Sequence, residues 1–359
     1  MITNDTRSPL QEANATVDSR WSQLLQRTRV ESSVGRMLVL LVLSFAIFTA
    51  LKPAVFPSGT NLQNLALASP EVGVIAIAMT LAMLTGGIDL SLVSVANLTA
   101  ITISTAYTAL GEQGESALPL LVLLGLLVGA AGGAINGFLV SKVGITPILA
   151  TLGTMQIYNG LAVAWTGGKT LYGSPSGLTA LGAATVSGVP VLFVAFLAMA
   201  VVMGVLLTRT PLGLRIQLLG ANPVAAKYSG IRPSHVLMRT YLITGTLGGI
   251  AGLLFIARNP TASADYGASY VLLVIVIAVL GGTNPNGGFA TVWGVVLATL
   301  TLQVVASGFT AVRLSSYAYA IAQGVILISV MVVGNSKLNL GRHFRRRARI
   351  LPAQKEPMK

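Results

Sequence analysis

Long apolar runs, broken by short polar or glycine-rich punctuation, fill most of this chain. They lie at Met37–Phe56, Leu65–Leu84, Leu92–Leu110, Ala117–Val140, Thr146–Trp165, Val189–Leu207, Leu237–Ala257, Ser269–Leu280, Thr291–Gly308 and Tyr317–Val333. A helix that crosses a bilayer needs roughly 20 mostly apolar residues. The pattern therefore predicts an all-α, polytopic membrane helical bundle of about ten transmembrane helices, with Ser269–Leu280 short for a crossing. Ahead of the first run, Trp21, Leu24 and Leu25 share one helical face while Arg20 and Arg27 lie off it, which predicts a short helix in the interface. The chain divides into an N-terminal segment (1–36), a membrane domain (37–334) with a large polar loop at 209–236, and a basic tail (335–359).

Composition narrows the class. The chain is 53% hydrophobic and only 9% charged, against about a quarter charged in soluble domains. Too few ionic groups remain to cover a water-facing surface. Long uninterrupted runs also exclude a β-barrel, whose strands alternate apolar and polar residues. Cysteine is absent, so disulfide and thiol chemistry drop out; His235 and His343 both lie in polar basic segments, which leaves no histidine metal site.

The net charge of +13 invites a nucleic-acid reading, but its distribution argues for a membrane. Of 23 basic residues, five fall in Met1–Arg36, five in Arg209–Arg239 and eight in Lys337–Lys359. Lys and Arg concentrate on the cytoplasmic side of membrane proteins, so all three blocks are expected there, and ten spans place both termini on that side. The acidic hairpin "GEQGES" and the glycine-rich loop Gly167–Gly188 then fall outside. The tail "GRHFRRRAR" reads as an anchor on anionic lipid. The N-terminal polar stretch has no short apolar region with a small-residue cleavage site, so no removed secretory signal is expected.

Glycine is ordered as well as abundant. Gly125, Gly129, Gly133 and Gly137 repeat every four residues in the fourth run, and Gly245/Gly249 and Gly248/Gly252 do the same in the seventh. Such stripes let helices pack closely where lipid gives little hydrophobic drive. No Lys-Ser or Lys-Thr follows them as a phosphate loop requires, so any ATP would be bound by another subunit.

Two further places share a pattern: "MLTGGIDLS" (Met83–Ser91) and "AVLGGTNPNGG" (Ala278–Gly288) each end an apolar run in Gly-Gly followed by small polar residues. Paired glycine-interrupted segments in two halves of a chain point to an internal repeat with a transport pathway at its interface. The candidate pathway residues are Gly86, Gly87, Asp89, Ser91, Gly281, Gly282 and Asn284. Asp89 has two readings, which the sequence leaves open. Asp89 or Ser91 can cap the third span, or Asp89 can face a water-filled route and bind a polar solute. Glu71, near the outer end of the second span, reads as solvated.

The loop Arg209–Thr240 carries a second candidate site. Asn222 suits an N-cap with Pro223 at the first helical position, Val224–Ser229 continue the helix, and Gly230 suits its C-terminal stop. Pro233 is expected to keep the helix from resuming. A short capped helix with small residues at Ala225 and Ala226 is shaped to enter a cleft in another protein.

Here the residues reach a family. "LTGGIDLSLVSV", "INGFLVSKVGITPILATLGTM" (Ile135–Met155), "GANPVAAKYSGI" (Gly220–Ile231) and "AVLGGTNPNGG" occur in the order and at about the spacing of the membrane permeases of ribose-type ABC sugar importers, which this chain resembles from about Leu65 to Val333. The resemblance implies a multi-pass bacterial inner-membrane subunit that pairs with a second permease copy or a paralogue. It further implies a monosaccharide received from a periplasmic binding protein, and alternating access driven by a separate ABC ATPase that carries the ATP and magnesium. The short helix Asn222–Gly230 matches the one that docks on that ATPase, with Asn222, Pro223, Ala225, Ala226, Ser229 and Gly230 as coupling residues. It departs from many relatives in carrying no acidic residue there.

Three rivals bracket this reading. The same architecture can import another small solute, such as a branched-chain amino acid or a furanose-like signal molecule. An ion-coupled transporter wants several intramembrane carboxylates, where this chain offers Asp89 and Glu71. An enzyme wants a nucleophile–base pair or a metal motif, and none is visible, so no catalytic residue, metal or resident cofactor is assigned.

Overall fold

A computed structural model describes residues 34–315, 317–326 and 328. The predicted interfacial helix at 20–27, the basic tail and the end of the tenth run lie outside the described residues. The elements are α1 (Val34–Leu51), α2 (Gly59–Leu84), α3 (Leu92–Leu110), α4 (Leu118–Phe138), α5 (Pro147–Thr166), β1 (Leu171–Tyr172), α6 (Ser176–Ala183), β2 (Thr185–Val186), β3 (Val189–Pro190), α7 (Val191–Arg209), α8 (Pro211–Ala221), α9 (Pro223–Tyr228), α10 (Pro233–Arg258), β4 (Thr261–Ala262), α11 (Tyr270–Leu280), α12 (Val292–Ala311) and α13 (Tyr317–Ile326).

A helix stands at every one of the ten predicted places. Among the described residues, seven helices are long and apolar enough to cross a membrane: α1, α2, α3, α4, α7, α10 and α12, with α3 and α4 each counted together with the turn that follows. The other three differ in length or apolarity. Helix α5 is long enough at 20 residues, but Thr151, Thr154, Gln156, Tyr158 and Asn159 lower its apolar character. Helix α11 has only 11 residues. Helix α13 is short where it is described.

Helix α2 lies at the centre, buried continuously from Ser69 to Leu84, with α3, α7, α10, α11 and α12 around it. Packing of α4 on α10 follows the glycine stripes. A Cβ on Gly129 would land on the backbone of Gly245 and Gly249, and one on Gly133 on the carbonyl of Tyr241. Only glycine allows the two backbones to approach this closely.

One end of the bundle is closed by small structures absent from the hydropathy pattern. Strand β1 pairs antiparallel with β4, and β2 with β3. Exposed Glu115 accepts hydrogen bonds from the Tyr107 hydroxyl and the Ser176 backbone N–H, both at 2.7 Å, which ties the α3–α4 connection to the start of α6. These two donors hold its carboxyl down at about 2.

Glu71 corrects another expectation. It is fully buried, not solvated, and pairs with Arg258 at 2.9 Å. The Tyr266 hydroxyl reaches its two oxygens at 3.1 and 3.2 Å, and Asn259 in turn donates to that hydroxyl. An ion in this position is tolerable only because it is paired and hydrogen-bonded.

Candidate functional site

The loop between α7 and α10 folds as two helices. Thr210 caps α8 by accepting from Gly213 N–H at 3.2 Å, with Pro211 at the first position. Asn222 ends α8 and caps α9: its Oδ1 accepts from Val224 and Ala225 N–H at 3.1 and 3.0 Å, and Pro223 opens the helix. Gly230 follows α9 with φ +79°, the left-handed region where glycine carries no penalty. The local signals at Asn222, Pro223 and Gly230 thus produce the helix read from them. Pro233 does the reverse of the expectation: it is the first residue of α10, a place where a missing N–H costs nothing.

Helix α9 presents itself outward. Only Ala226 is buried; Val224 is 65% and Tyr228 90% exposed, with Pro223, Ala225, Ser229 and Gly230 also exposed. Two large apolar side chains on one exposed turn at the tip of a loop are a contact surface without its partner.

The base of this loop is joined to both glycine motifs. A Cβ on Gly220 would strike the carbonyl of Leu84, and would stand 2.6 Å from the N–H of Gly288. Gly288 N–H itself donates to Leu84 O at 3.0 Å. Gly86 (φ +81°), Gly287 (φ +91°) and Gly288 (φ +84°) occupy backbone conformations suited to glycine. The end of α2, the turn after α11 and the last turn of α8 therefore meet backbone to backbone. Gly281 and Gly282 sit apart from that contact: Gly281 packs on Gly294 and Val295 at the start of α12, and its carbonyl accepts from Thr291. Asn284 shapes its own turn, donating to Gly287 O at 3.0 Å and accepting from Asn286 N–H at 3.1 Å.

Asp89 and Ser91 lie elsewhere, in a buried polar chain that crosses the bundle. Asp89 Oδ1 accepts from Ser91 N–H (3.1 Å) and Ser91 Oγ (2.7 Å), and its Oδ2 from Thr244 (3.3 Å). Asn136 donates to Ser91 Oγ at 2.7 Å and accepts from Thr154 at 2.6 Å. Gly87 fits tightly against Pro147 and the Tyr241 hydroxyl. The chain links α3, α4, α5 and α10, and each member satisfies its neighbour, as burial demands. Here Asp89 secures the turn into α3 and has 1% exposure. Asn136, Thr154 and Thr244 were not singled out from the sequence; polar residues inside apolar runs were the available signal.

The family model described as "Branched-chain amino acid transport system / permease component" matches residues 61–331. The chain belongs to this permease family. Both glycine motifs, the polar chain and the α8–α9 loop all fall inside the matched region. Among its relatives, the autoinducer 2 import system permease protein LsrD of Salmonella typhimurium is 32% identical over 76% of this chain and 82% of its own. LsrD of Yersinia enterocolitica is 34% identical with the same coverage. The ribose import permease protein RbsC of Bacillus subtilis is 32% identical over 86% of this chain and 94% of its own. No solved structure matches. As a multi-span member of a transport permease family, the protein resides in a membrane.

Proposed function

We propose that this chain is the membrane subunit of an ATP-driven, binding-protein-dependent importer for a small polyhydroxylated solute, a ribose-like monosaccharide or a furanose-like signal molecule. The relatives named for ribose and for autoinducer 2 support that class. The subunit works with a second permease, a solute-binding protein on the outer face and an ABC ATPase on the inner face; ATP and magnesium belong to that ATPase. Both termini and the α8–α9 loop lie on the cytoplasmic side, in line with the three basic blocks.

One observation carries the coupling assignment. A capped helix with an exposed Val224–Tyr228 surface grows directly from Gly220, which touches both glycine turns. A push on α9 is delivered to the end of α2 at Gly86 and to the turn after α11 at Gly287 and Gly288, which Asn284 holds, and so to the expected pathway. Asp89 and Ser91 then act from behind, holding α3, α4 and α10 as one body. Deletion of Val224–Ser229 tests this: the protein should still insert in the membrane, while ATPase recruitment and uptake are lost. Normal uptake by that deletion would end the assignment.

A further inference from the structure

The corner where α9 rejoins α10 holds a cavity of about 290 Å³ whose charge is entirely of one sign. Arg215 from α8, Arg232 before α10, and His235 and Arg239 from the first turns of α10 line it, over an apolar floor that includes Leu212 and Val236. The three guanidinium-bearing residues and His235 are exposed, whereas Val236 is buried. Three like charges lining one cavity give it a local field that attracts an anion.

No described carboxylate does so. The acids among the described residues are Glu71, Asp89, Glu112, Glu115 and Asp265. Glu71 is paired with Arg258, and Asp89 is buried and hydrogen-bonded within the polar chain. Glu112, Glu115 and Asp265 belong to connections at the other end of α3, α4 and α10. Arg215, Arg232 and Arg239 make no ion pair with any described residue. Their charge thus has no described counterpart within the chain, which leaves the cavity open to an external anion. Leu214 and Leu218 on α8 and Leu242 on α10 expose large apolar side chains close by in sequence, so apolar surface adjoins the charged rim.

We propose that this cavity is a binding site for a phosphate-bearing anion, held by Arg215, Arg232 and Arg239 at the root of the α8–α9 loop. Guanidinium groups match phosphate oxygens in geometry as well as charge, and basic pockets between membrane helices on the inner face take phospholipid headgroups. A headgroup and a free phosphate share this chemistry. The proposal is independent of the transported solute; Ser229 and Gly230 of the coupling segment also line the cavity, so its test uses the permease without the ATPase.

The test uses full-length protein in phosphatidylcholine nanodiscs, with or without phosphatidylglycerol. Native mass spectrometry counts the anionic lipid that stays bound after extraction, and thermal shifts with inorganic phosphate report the soluble ligand. Arg215→Gln/Arg232→Gln/Arg239→Gln should weaken the response on the order of a hundredfold. The corresponding triple lysine variant should keep the share due to charge alone, and Arg313→Gln, away from the cavity, should change nothing. Retained phosphatidylglycerol without a phosphate response assigns a lipid; a phosphate response in phosphatidylcholine discs assigns a soluble ligand. Equal responses from wild type and the triple glutamine variant, or none from wild type, overturn the proposal. If the triple variant is not monodisperse, each single Arg→Gln change should lower the response several-fold, and failure of all three to do so overturns it equally.

Discussion

The backbone N–H of Gly288 donates to the carbonyl of Leu84 at 3.0 Å, joining the turn after α11 to the end of α2. The same carbonyl is the first atom a side chain at Gly220 would meet. Two interrupted helices from opposite halves of the chain and the root of the α9 loop thus share one small junction. Its members are main-chain atoms, so displacement passes through it without slack from side-chain rotation.

Gly220→Val should jam this junction. Overpacking of a tight site costs about 1–3 kcal/mol, so membrane insertion should survive while the thermal midpoint falls and uptake is lost. Gly204→Ala is the matching control, since nothing lies within 4 Å of a Cβ there. Vesicle uptake and thermal unfolding of both variants check the contrast; normal uptake by Gly220→Val would remove the junction from the mechanism.

Glu71→Gln should destabilise the bundle. Arg258 would keep its charge beside a neutral partner, a loss of about 2 kcal/mol once its 30% exposure is allowed for. The double change Glu71→Gln/Arg258→Gln should recover part of that loss. Denaturation midpoints for the cycle decide it, and additive losses would show that the pair is not coupled.

Glu115 gives a pH prediction. Its carboxyl sits at about 2 in the fold against an ordinary 4.5, so the folded value is the lower one. The contribution is then complete above the ordinary value and is lost as pH falls through about 2. Hydrogen exchange at the Ser176 N–H should stay protected at about pH 3 and open below the folded value. In Glu115→Gln the same amide should show no such transition.

Helix positions were legible because each run carries its own apolar signal, and α9 because Asn222, Pro223 and Gly230 act on their immediate neighbours. Helix α8 has an equally local signal in Thr210 and Pro211, overlooked inside a stretch that read as loop. Glu71 was misread because its partner Arg258 is supplied from the far end of α10, and no local pattern announces such a pair. The same limit hid the junction. Gly86, Gly220 and Gly288 each look like an ordinary turn or helix glycine until the fold brings them together.

The most direct measurement is uptake into proteoliposomes under three conditions: this chain with its second permease alone, the same with an ion gradient, and the complete assembly with ATPase and binding protein. Accumulation of the solute only in the complete assembly, and only with ATP, is the predicted result. Accumulation on the ion gradient without the ATPase would contradict the account.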